Sequence, residues 1–343
     1  MATFSTNNTK GKKEDLASFV SMITRDETPF ISSIGSKKAT SVYHEWQTDE
    51  LAAPAANAKA EGRDFADETL SSTTRLGNYS QILTKDIKVS KTLDSVSKAG
   101  RNSEFAYQMK KKSTELKRDL EHALVGTRQR TDGSGGADTT TANSGRTLGG
   151  FQSWVPKANT WDINQATPAF VGSTGGGDGS TAAVASSAGT GTLALTDVDE
   201  MMQKLYEEGG KASTLMMSPT QKRNFSVLAH GSSVNTRRNI DDTGKLRQSV
   251  ELYESDFGLV KVIPNYIQGL ASGVDISDGV GGATYVLVYD PSFFALANLR
   301  ALHTTDVGQK GDSTVGMLVE ETTLECRNPA GSGLIQGVGT LVA

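Results

Sequence analysis

Apolar and polar side chains alternate in two stretches of the chain. Val42, His44 and Trp46 occupy every second position of the first stretch, and Ile87 and Val89 do so in the second. A period of two is typical of β-strands. The residues between the stretches show no periodic apolar face, and loops beyond about 12–15 residues are uncommon in compact domains. The pattern predicts two strands joined by a long polar tip that could find its apolar cover on another subunit.

A single long helix is predicted after the second strand. No proline occurs between Thr92 and Gly126, and only Gly100 interrupts a run of good helix formers. Apolar side chains recur every four or seven residues and so share one stripe: Phe105, Met109, Leu116, Leu120 and Leu124. At 1.5 Å per residue this helix would be about 50 Å long. A one-sided helix beside a projecting hairpin favours an extended subunit over a globule built around a pocket.

The remaining segments predict helices packed on a mixed sheet, which is an α+β or α/β arrangement. Before the hairpin, a short helix is expected over Glu14–Ile23, followed by an extended TPFISSIG segment. The second half predicts helices at 196–210 and after Ser218-Pro219, which pack on a mixed sheet. Its strand candidates are residues 259–263, 285–289 and 317–326, and DPSFFALAN is expected to turn from strand into helix.

Composition narrows the class of protein. The chain has 343 residues, 22% charged and 36% hydrophobic, with 36 glycines that favour many turns. Its formal charge of −4 gives no overall basic field to attract nucleic acid. A single cysteine, Cys326, excludes an internal disulfide framework. No apolar run approaches the 18–20 residues of a membrane span, so we expect a soluble protein made inside a cell.

Motifs for catalysis or metal binding are weak. Asp242-Thr243-Gly244 matches an aspartic-protease triplet but lies in a polar run, which favours a solvated turn. Ser95 and Lys98 have the Ser-x-x-Lys spacing without the partner motifs of acylating enzymes. The four histidines are far apart in sequence, with no paired spacing for zinc. We therefore predict no catalytic, cofactor-binding or metal site.

Nucleic-acid recognition is equally poorly supported. Lys110–Lys112 and Arg237-Arg238 are short basic runs without interleaved aromatic side chains. Such runs are more typical of a solvated helix face and a loop than of a surface that reads bases.

The sequences of several segments resemble those of the major capsid proteins of tailed bacteriophages, which have the Hong Kong 97-type fold. The likeness covers nearly the whole chain. It is carried early by TPFISSIG, YHEWQTDELAAPAANAKAEG, YSQILTKDIKVS and ELKRDLEHALVG. Near the end it is carried by GLVKVIPNYI, YVLVYDPSFFALANLRAL and VGMLVEETTLECRNPAGSGLIQGV. The segment 131–192 matches least and is expected to be an insertion exposed on a shell.

The resemblance implies a Hong Kong 97-like α+β capsid fold with five parts. These are an N-terminal arm (1–40), an extended hairpin loop (41–90), a peripheral domain with a spine helix and a Gly-rich insertion (91–192), an axial α/β domain (193–300), and a return to the peripheral domain (301–343). The implied function is self-assembly into pentamers and hexamers. These would form the icosahedral or elongated head shell of a virion, assembled in the host cytoplasm, around double-stranded DNA.

The resemblance also implies partners. Besides further copies of the chain, we expect a portal and a separate scaffolding protein, because the arm begins almost at residue 1. The sequence leaves the presence of a decoration protein open. DNA would be enclosed without sequence-specific binding, and no membrane or cofactor is expected. The candidate inter-subunit contacts are Leu51, Phe65 and Leu70 on the loop and Lys110, Lys117 and Arg118 on the helix. The alternatives are an encapsulin-type protein compartment and, from another class, a soluble hydrolase.

Overall fold

The computed structural model describes residues 24–25, 27–64, 67, 70–133, 145–165, 167–172, 175–181, 191–229, 239–240, 246–247, 250–268, 285–309 and 311–339. These residues mix helices with sheets, which confirms the α+β class. The helix expected over Glu14–Ile23 lies outside the described residues.

The helices are α1 (Pro29–Ser33), α2 (Lys91–Ser95), α3 (Glu104–Val125), α4 (Phe151–Trp154), α5 (Leu195–Glu207) and α6 (Pro219–Ala229). The strands are β1 (Gly35–Lys38), β2 (Tyr43–Thr48), β3 (Thr74–Tyr79), β4 (Gln81–Ser90), β5 (Thr160–Asp162), β6 (Ala169–Phe170), β7 (Thr214–Met217), β8 (Asn239–Ile240), β9 (Leu246–Arg247), β10 (Leu252–Ser255), β11 (Gly258–Pro264), β12 (Tyr285–Tyr289), β13 (Phe294–Gln309), β14 (Ser313–Cys326) and β15 (Gly333–Gln336).

The described residues fall into two compact units. One unit contains 84–116 and 304–318, and the other contains the described parts of 27–83, 117–303 and 319–343. The boundary passes through β4, α3, β13 and β14, so these elements belong to both units.

In the smaller unit, the helix predicted as continuous over 92–127 is broken, and that prediction is wrong. Helix α2 begins where Ser90 Oγ accepts the N–H of Leu93 (3.2 Å). Gly100 then adopts a left-handed φ of 74°, which helical residues do not have. Asp94 Oδ1 accepts the backbone N–H of Glu104 (2.8 Å) and so caps the start of α3. The 22 residues of α3 span about 33 Å.

The larger unit is built around a seven-stranded sheet with the strand order β10-β11-β7-β12-β15-β5-β6. Its central strands β7, β12 and β15 are buried on both faces, which accounts for the continuous apolar run YVLVY in β12. One face packs against α5 and α6 through Val198, Met201, Leu205 and Phe225. The other face packs against the end of α3 and the aromatic residues of α4.

The N-terminal segment packs into the apolar cluster between the seven-stranded sheet and helices α3 and α4. TPFISSIG forms the short helix α1, so the expectation of an extended segment is wrong at these residues, although Thr28 before Pro29 is non-helical as expected. Phe30 is fully buried, with its ring centroid 5.4 Å from that of Tyr289 and 5.9 Å from that of Phe151. This burial stabilises a helix too short to persist alone.

A buried carboxylate on α3 completes that attachment. Glu121 Oε1 accepts the N–H of Phe30 (2.7 Å) and its Oε2 accepts the N–H of Ile31 (2.9 Å). The side-chain amide of Asn265 donates to Oε1 at 2.7 Å. Burial raises the pKa of Glu121, although these three hydrogen bonds oppose the shift. Glu121 therefore takes the place of a side-chain N-cap for α1.

The corner expected at DPSFFALAN is wrong as well. After a 3₁₀ turn at Pro291–Phe293 the chain continues as the 16-residue strand β13. Strand β13 lies between β1 and β14 in a four-stranded sheet with the order β1-β13-β14-β4. Pairing on both sides outweighs the helix propensity of its alanines and leucines.

Candidate assembly site

The hairpin predicted from the alternating stretches exists, but its second strand differs from the prediction. Strand β2 pairs antiparallel with β3, from Tyr43 opposite Tyr79 to Thr48 opposite Thr74. Strand β4, which carries Ile87 and Val89, is instead the outer strand of the four-stranded sheet. Strand β3 has a weak strand signal because its sequence, TRLGNY, includes a glycine.

Cross-strand contacts fix the hairpin register. The rings of Tyr43 and Tyr79 lie 4.6 Å apart between centroids. The guanidinium of Arg75 donates to both oxygens of Glu45, with Nε to Oε1 at 2.8 Å. This hydrogen bonding lowers the pKa of Glu45. Gly77 leaves room for Tyr43, because a Cβ there would lie 2.7 Å from its ring.

The base of the hairpin, which we call the root, is anchored in the larger unit. The ring of Trp46 lies 5.2 Å from that of Trp154, which is fully buried. Asn78 is also fully buried, and its amide nitrogen donates to the carbonyl of Leu324 at 2.8 Å. Its Oδ1 accepts the N–H of Gly149 at 2.9 Å. The root is therefore held by both aromatic packing and buried hydrogen bonds.

The distal part of the hairpin, residues 49–73, is the tip, and its described residues are all exposed. Leu51 is 99% exposed and Leu70 is 88% exposed. A bond from the N–H of Arg63 to the carbonyl of Ala60 (3.3 Å) stays within the tip. Phe65, the third predicted contact on the loop, lies outside the described residues. Burial of a leucine side chain contributes about 1.5–3 kcal/mol of free energy. Contact of Leu51 and Leu70 with another surface would therefore stabilise the tip.

Two buried glutamates on β14 organise the polar groups beside the root. Lys37 Nζ donates to Glu325 Oε1 at 2.7 Å and to Oε2 at 3.0 Å. His44 Nε2 lies 2.9 Å from Oε2, and Arg327 Nε donates to Oε1 at 2.9 Å. Burial opposes ionisation of Glu325, but these hydrogen bonds lower its pKa to about 2. One carboxylate therefore ties β1 and β2 to the end of β14.

Glu321, four residues earlier on the same strand, has a similar arrangement. Arg146 Nη2 donates to its Oε1 at 2.8 Å, and Arg300 Nε donates to its Oε2 at 2.8 Å. Ser80 Oγ donates to Oε1 at 2.9 Å, at the end of the root. We call the two carboxylates and their basic partners the β14 cluster: Glu321, Glu325, Lys37, Arg146, Arg300 and Arg327.

The three predicted contacts on the long helix all lie on α3. Lys110 and Lys117 are exposed, and Arg118 is half-buried. Within the described part of the chain, the Nε of Arg118 is buried without a hydrogen-bond partner. The role of these three side chains in assembly stays a prediction.

The weak catalytic motifs gain no support from the described residues. Lys98 Nζ donates to the carbonyls of Leu93 (2.7 Å) and Asp94 (3.0 Å), which makes it a structural group at the end of α2. Cys326 is fully buried, and burial raises the pKa of its thiol. The Asp242 triplet lies outside the described residues. Among the residues described, no His, Cys, Asp and Glu group has metal-binding geometry, and no helix has the length and apolarity to cross a bilayer.

Comparison with known proteins agrees with this architecture. The model of the SU10 major capsid protein family matches residues 3–339. The major capsid protein of Escherichia phage Phieco32 is 27% identical over 95% of this chain and 94% of its own length. The capsid of a native GTA particle superposes with a TM-score of 0.58 at 13% identity, over 96% of both chains. An encapsulin complex from Synechococcus elongatus superposes with a TM-score of 0.53 at 9% identity, over 96% of this chain and 93% of the encapsulin chain.

The α+β scaffold with its hairpin has the Hong Kong 97-like fold of phage capsids. The family match and the curated relative place the chain in the class of phage major capsid proteins. Within that class, the chain belongs to the SU10 major capsid protein family. Its place is the virion, where copies form a multimeric shell.

Sequence reasoning missed the β14 cluster. Glu321 and Glu325 lie in the continuously buried part of β14, residues 318–326. Because a buried carboxylate requires hydrogen-bonding or cationic partners, VEETTLEC carries a signal that such partners exist. The identity of the partners depends on tertiary contacts up to 288 residues apart and has no local signature.

Proposed function

We propose that this chain forms pentamers and hexamers that close into the icosahedral or elongated head shell around phage double-stranded DNA. The observation that carries the proposal is the hairpin, whose root is buried while Leu51 and Leu70 at its tip are almost fully exposed. A monomer gains little from holding such a tip in water. A symmetric assembly gains one buried tip for every subunit.

The parts of the chain have distinct roles in this proposal. Residues 1–40 act as an arm and 41–90 as the loop that overlies a neighbour. Residues 91–192 and 301–343 form the peripheral domain, and 193–300 form the axial domain that meets its copies at the centre of a capsomer. The attachment of α1 by Phe30 and Glu121 supports a fixed starting point for the arm.

Replacing the tip tests the proposal. Residues 50–73 are exchanged for a short Gly/Ser turn, which keeps β2, β3 and the root intact. We expect a folded chain with unchanged circular dichroism that sediments as a monomer or capsomer and forms no closed shells. Negative-stain microscopy and sedimentation velocity measure the difference from the unmodified chain.

A matched pair of point variants controls for the length of the deletion. Leu51→Ser with Leu70→Ser removes the apolar groups of the tip, whereas Ala52→Ser with Ala56→Ser changes exposed positions of small apolar area. The first pair should lower the yield of shells and the second should not. Normal particles from the chain without its tip would show that the loop is not needed for assembly.

Further parts of the proposal concern the contents and partners of the shell. We propose that assembly takes place in the host cytoplasm with a separate scaffolding protein and a portal, and that the chain itself catalyses no reaction. The likeness to an encapsulin is one of fold and supports no protein cargo. Particles that contain one enzyme and no DNA would contradict the packaging part of the proposal.

A further inference from the structure

The β14 cluster carries more positive than negative charge. Two buried carboxylates, Glu321 and Glu325, are surrounded by four basic side chains. The carboxylates are 5% and 2% exposed, whereas their partners remain substantially accessible: Lys37 43%, Arg146 30%, Arg300 47% and Arg327 45%. The cluster therefore presents a surplus of two formal positive charges at the surface of the larger unit.

The basic groups also keep donors for another molecule. Arg300 uses its Nε for Glu321, and Arg327 uses its Nε and Nη1 for Glu325 and the carbonyl of Ser292. A guanidinium has five N–H donors in a planar fork, so both side chains retain N–H groups suited to a carboxylate. Because Glu321 and Glu325 already hold these side chains in place, less side-chain entropy remains to be lost on binding.

The hairpin tip has the opposite charge. Residues 49–73 contain six acidic and two basic side chains, which gives the tip a formal charge of −4. Asp64 and Asp67 in its middle are exposed, as are Glu50 and Glu61. The tip therefore combines exposed leucines with an excess of negative charge, which is opposite in sign to the surplus charge of the β14 cluster.

We propose that the β14 cluster is the docking site for the acidic tip of a second copy of this chain, and that Arg300 and Arg327 receive its carboxylates. The proposal rests on the proposed shell function and names the surface on which the loop lies. The described residues of the tip are all exposed, so none of them is covered by its own chain. Charge of opposite sign would guide the docking, and burial of Leu51 and Leu70 would hold it.

A double-mutant cycle tests direct contact between tip and cluster. The tip is neutralised by Asp64→Asn with Asp67→Asn, and the cluster by Arg300→Gln with Arg327→Gln. Each pair alone should raise the critical concentration for shell assembly about tenfold. If the groups touch, the combined variant should need no higher concentration than the worse single pair, because the interaction is already lost. Multiplying effects, or no effect of either pair, would overturn the proposal.

Two controls separate docking from folding and from general charge. Lys59→Glu with Arg63→Glu makes the tip more acidic and should let assembly continue to higher salt. Lys211→Gln with Lys261→Gln removes two exposed lysines outside the cluster and should leave assembly unchanged. The tip variants keep the test valid even if the cluster variants fold poorly, since Asp64 and Asp67 are exposed and their substitution leaves the core unchanged. Circular dichroism and thermal melting verify the fold of each variant.

The same set distinguishes this proposal from the proposed function. If the unmodified chain forms no shells, the proposed function fails and the cycle has no baseline to measure. If it forms shells and the tip variants assemble normally, only the docking site is wrong. Cluster variants that form normal shells but lose DNA at lower salt would assign the cluster to phosphate groups and overturn the proposal.

Discussion

Two buried glutamates illustrate how surroundings decide the role of a carboxylate. Glu325 is paired with Lys37, His44 and Arg327, and its pKa is lowered to about 2. Glu121 accepts only neutral N–H groups, and burial raises its pKa. The two residues should therefore respond to pH in opposite directions.

Glu325→Gln is expected to lower the free energy of unfolding at pH 7 by about 2 kcal/mol, because its basic partners lose a charged acceptor. The native pKa lies below the unfolded value near 4.5, so the stabilisation is complete above pH 4.5 and is lost as the pH falls toward 2. Urea unfolding of the chain without its tip, at pH 7 and at pH 3, measures both effects. Glu45→Gln, at an exposed ion pair, is the control and should change little. A cost of Glu325→Gln that stayed constant with pH would contradict the assignment.

Glu121 should show the reverse dependence. Because its native pKa is raised, the native state holds a proton more tightly than the unfolded chain does. The stabilisation is therefore greatest below the unfolded pKa and is lost as the pH rises through the native pKa. The advantage of the unmodified chain over Glu121→Gln should grow as the pH is lowered, in the same urea experiment. An advantage that shrank at low pH would show that ionised Glu121 is the form that holds α1.

At the scale of elements, the sequence predicted what periodicity encodes. The strands around Trp46 and Val89 and the apolar stripe of α3 were foreseen, because each buries one face. Strand β3 and the pairing of β13 were not, since partners distant in sequence select those conformations. The β14 cluster escaped for the same reason. Local pattern predicted the exposed tip better than the groups that hold its root.

Gly100 has a left-handed φ in the segment between α2 and α3. Gly100→Ala would force a Cβ into a left-handed conformation and should destabilise the smaller unit by about 1–2 kcal/mol. Gly145→Ala is the matched control, since a Cβ there would meet open space without a left-handed φ. Urea unfolding compares the two variants. Equal effects at both positions would mean that a continuous helix through residue 100 is accessible at no cost.

At the scale of the whole molecule, buried contacts hold the root of a hairpin whose described tip residues are exposed. Three contacts fix the root: the buried amide of Asn78, the ring of Trp46, and a hydrogen bond from the guanidinium of Arg130 to the carbonyl of Gly77. A rigid root lowers the entropy lost when the tip docks, so affinity for a neighbour improves without further contacts. The fold buries the root and leaves the described residues of the tip exposed.

The exposure of the tip predicts a change in protease sensitivity on assembly. Trypsin should cut the unassembled chain first after Lys59 and Arg63, because both are exposed in a tip that its own chain does not cover. In closed shells the same bonds should be cut at least tenfold more slowly, since burial of the tip by a neighbour removes access. Mass spectrometry of early fragments measures both rates, and Lys59→Gln with Arg63→Gln confirms the assignment by abolishing these cuts. Tip cleavage at equal rates in shells and in unassembled chains would mean that assembly leaves the tip in solvent, and the leucines and carboxylates on it would then need another partner.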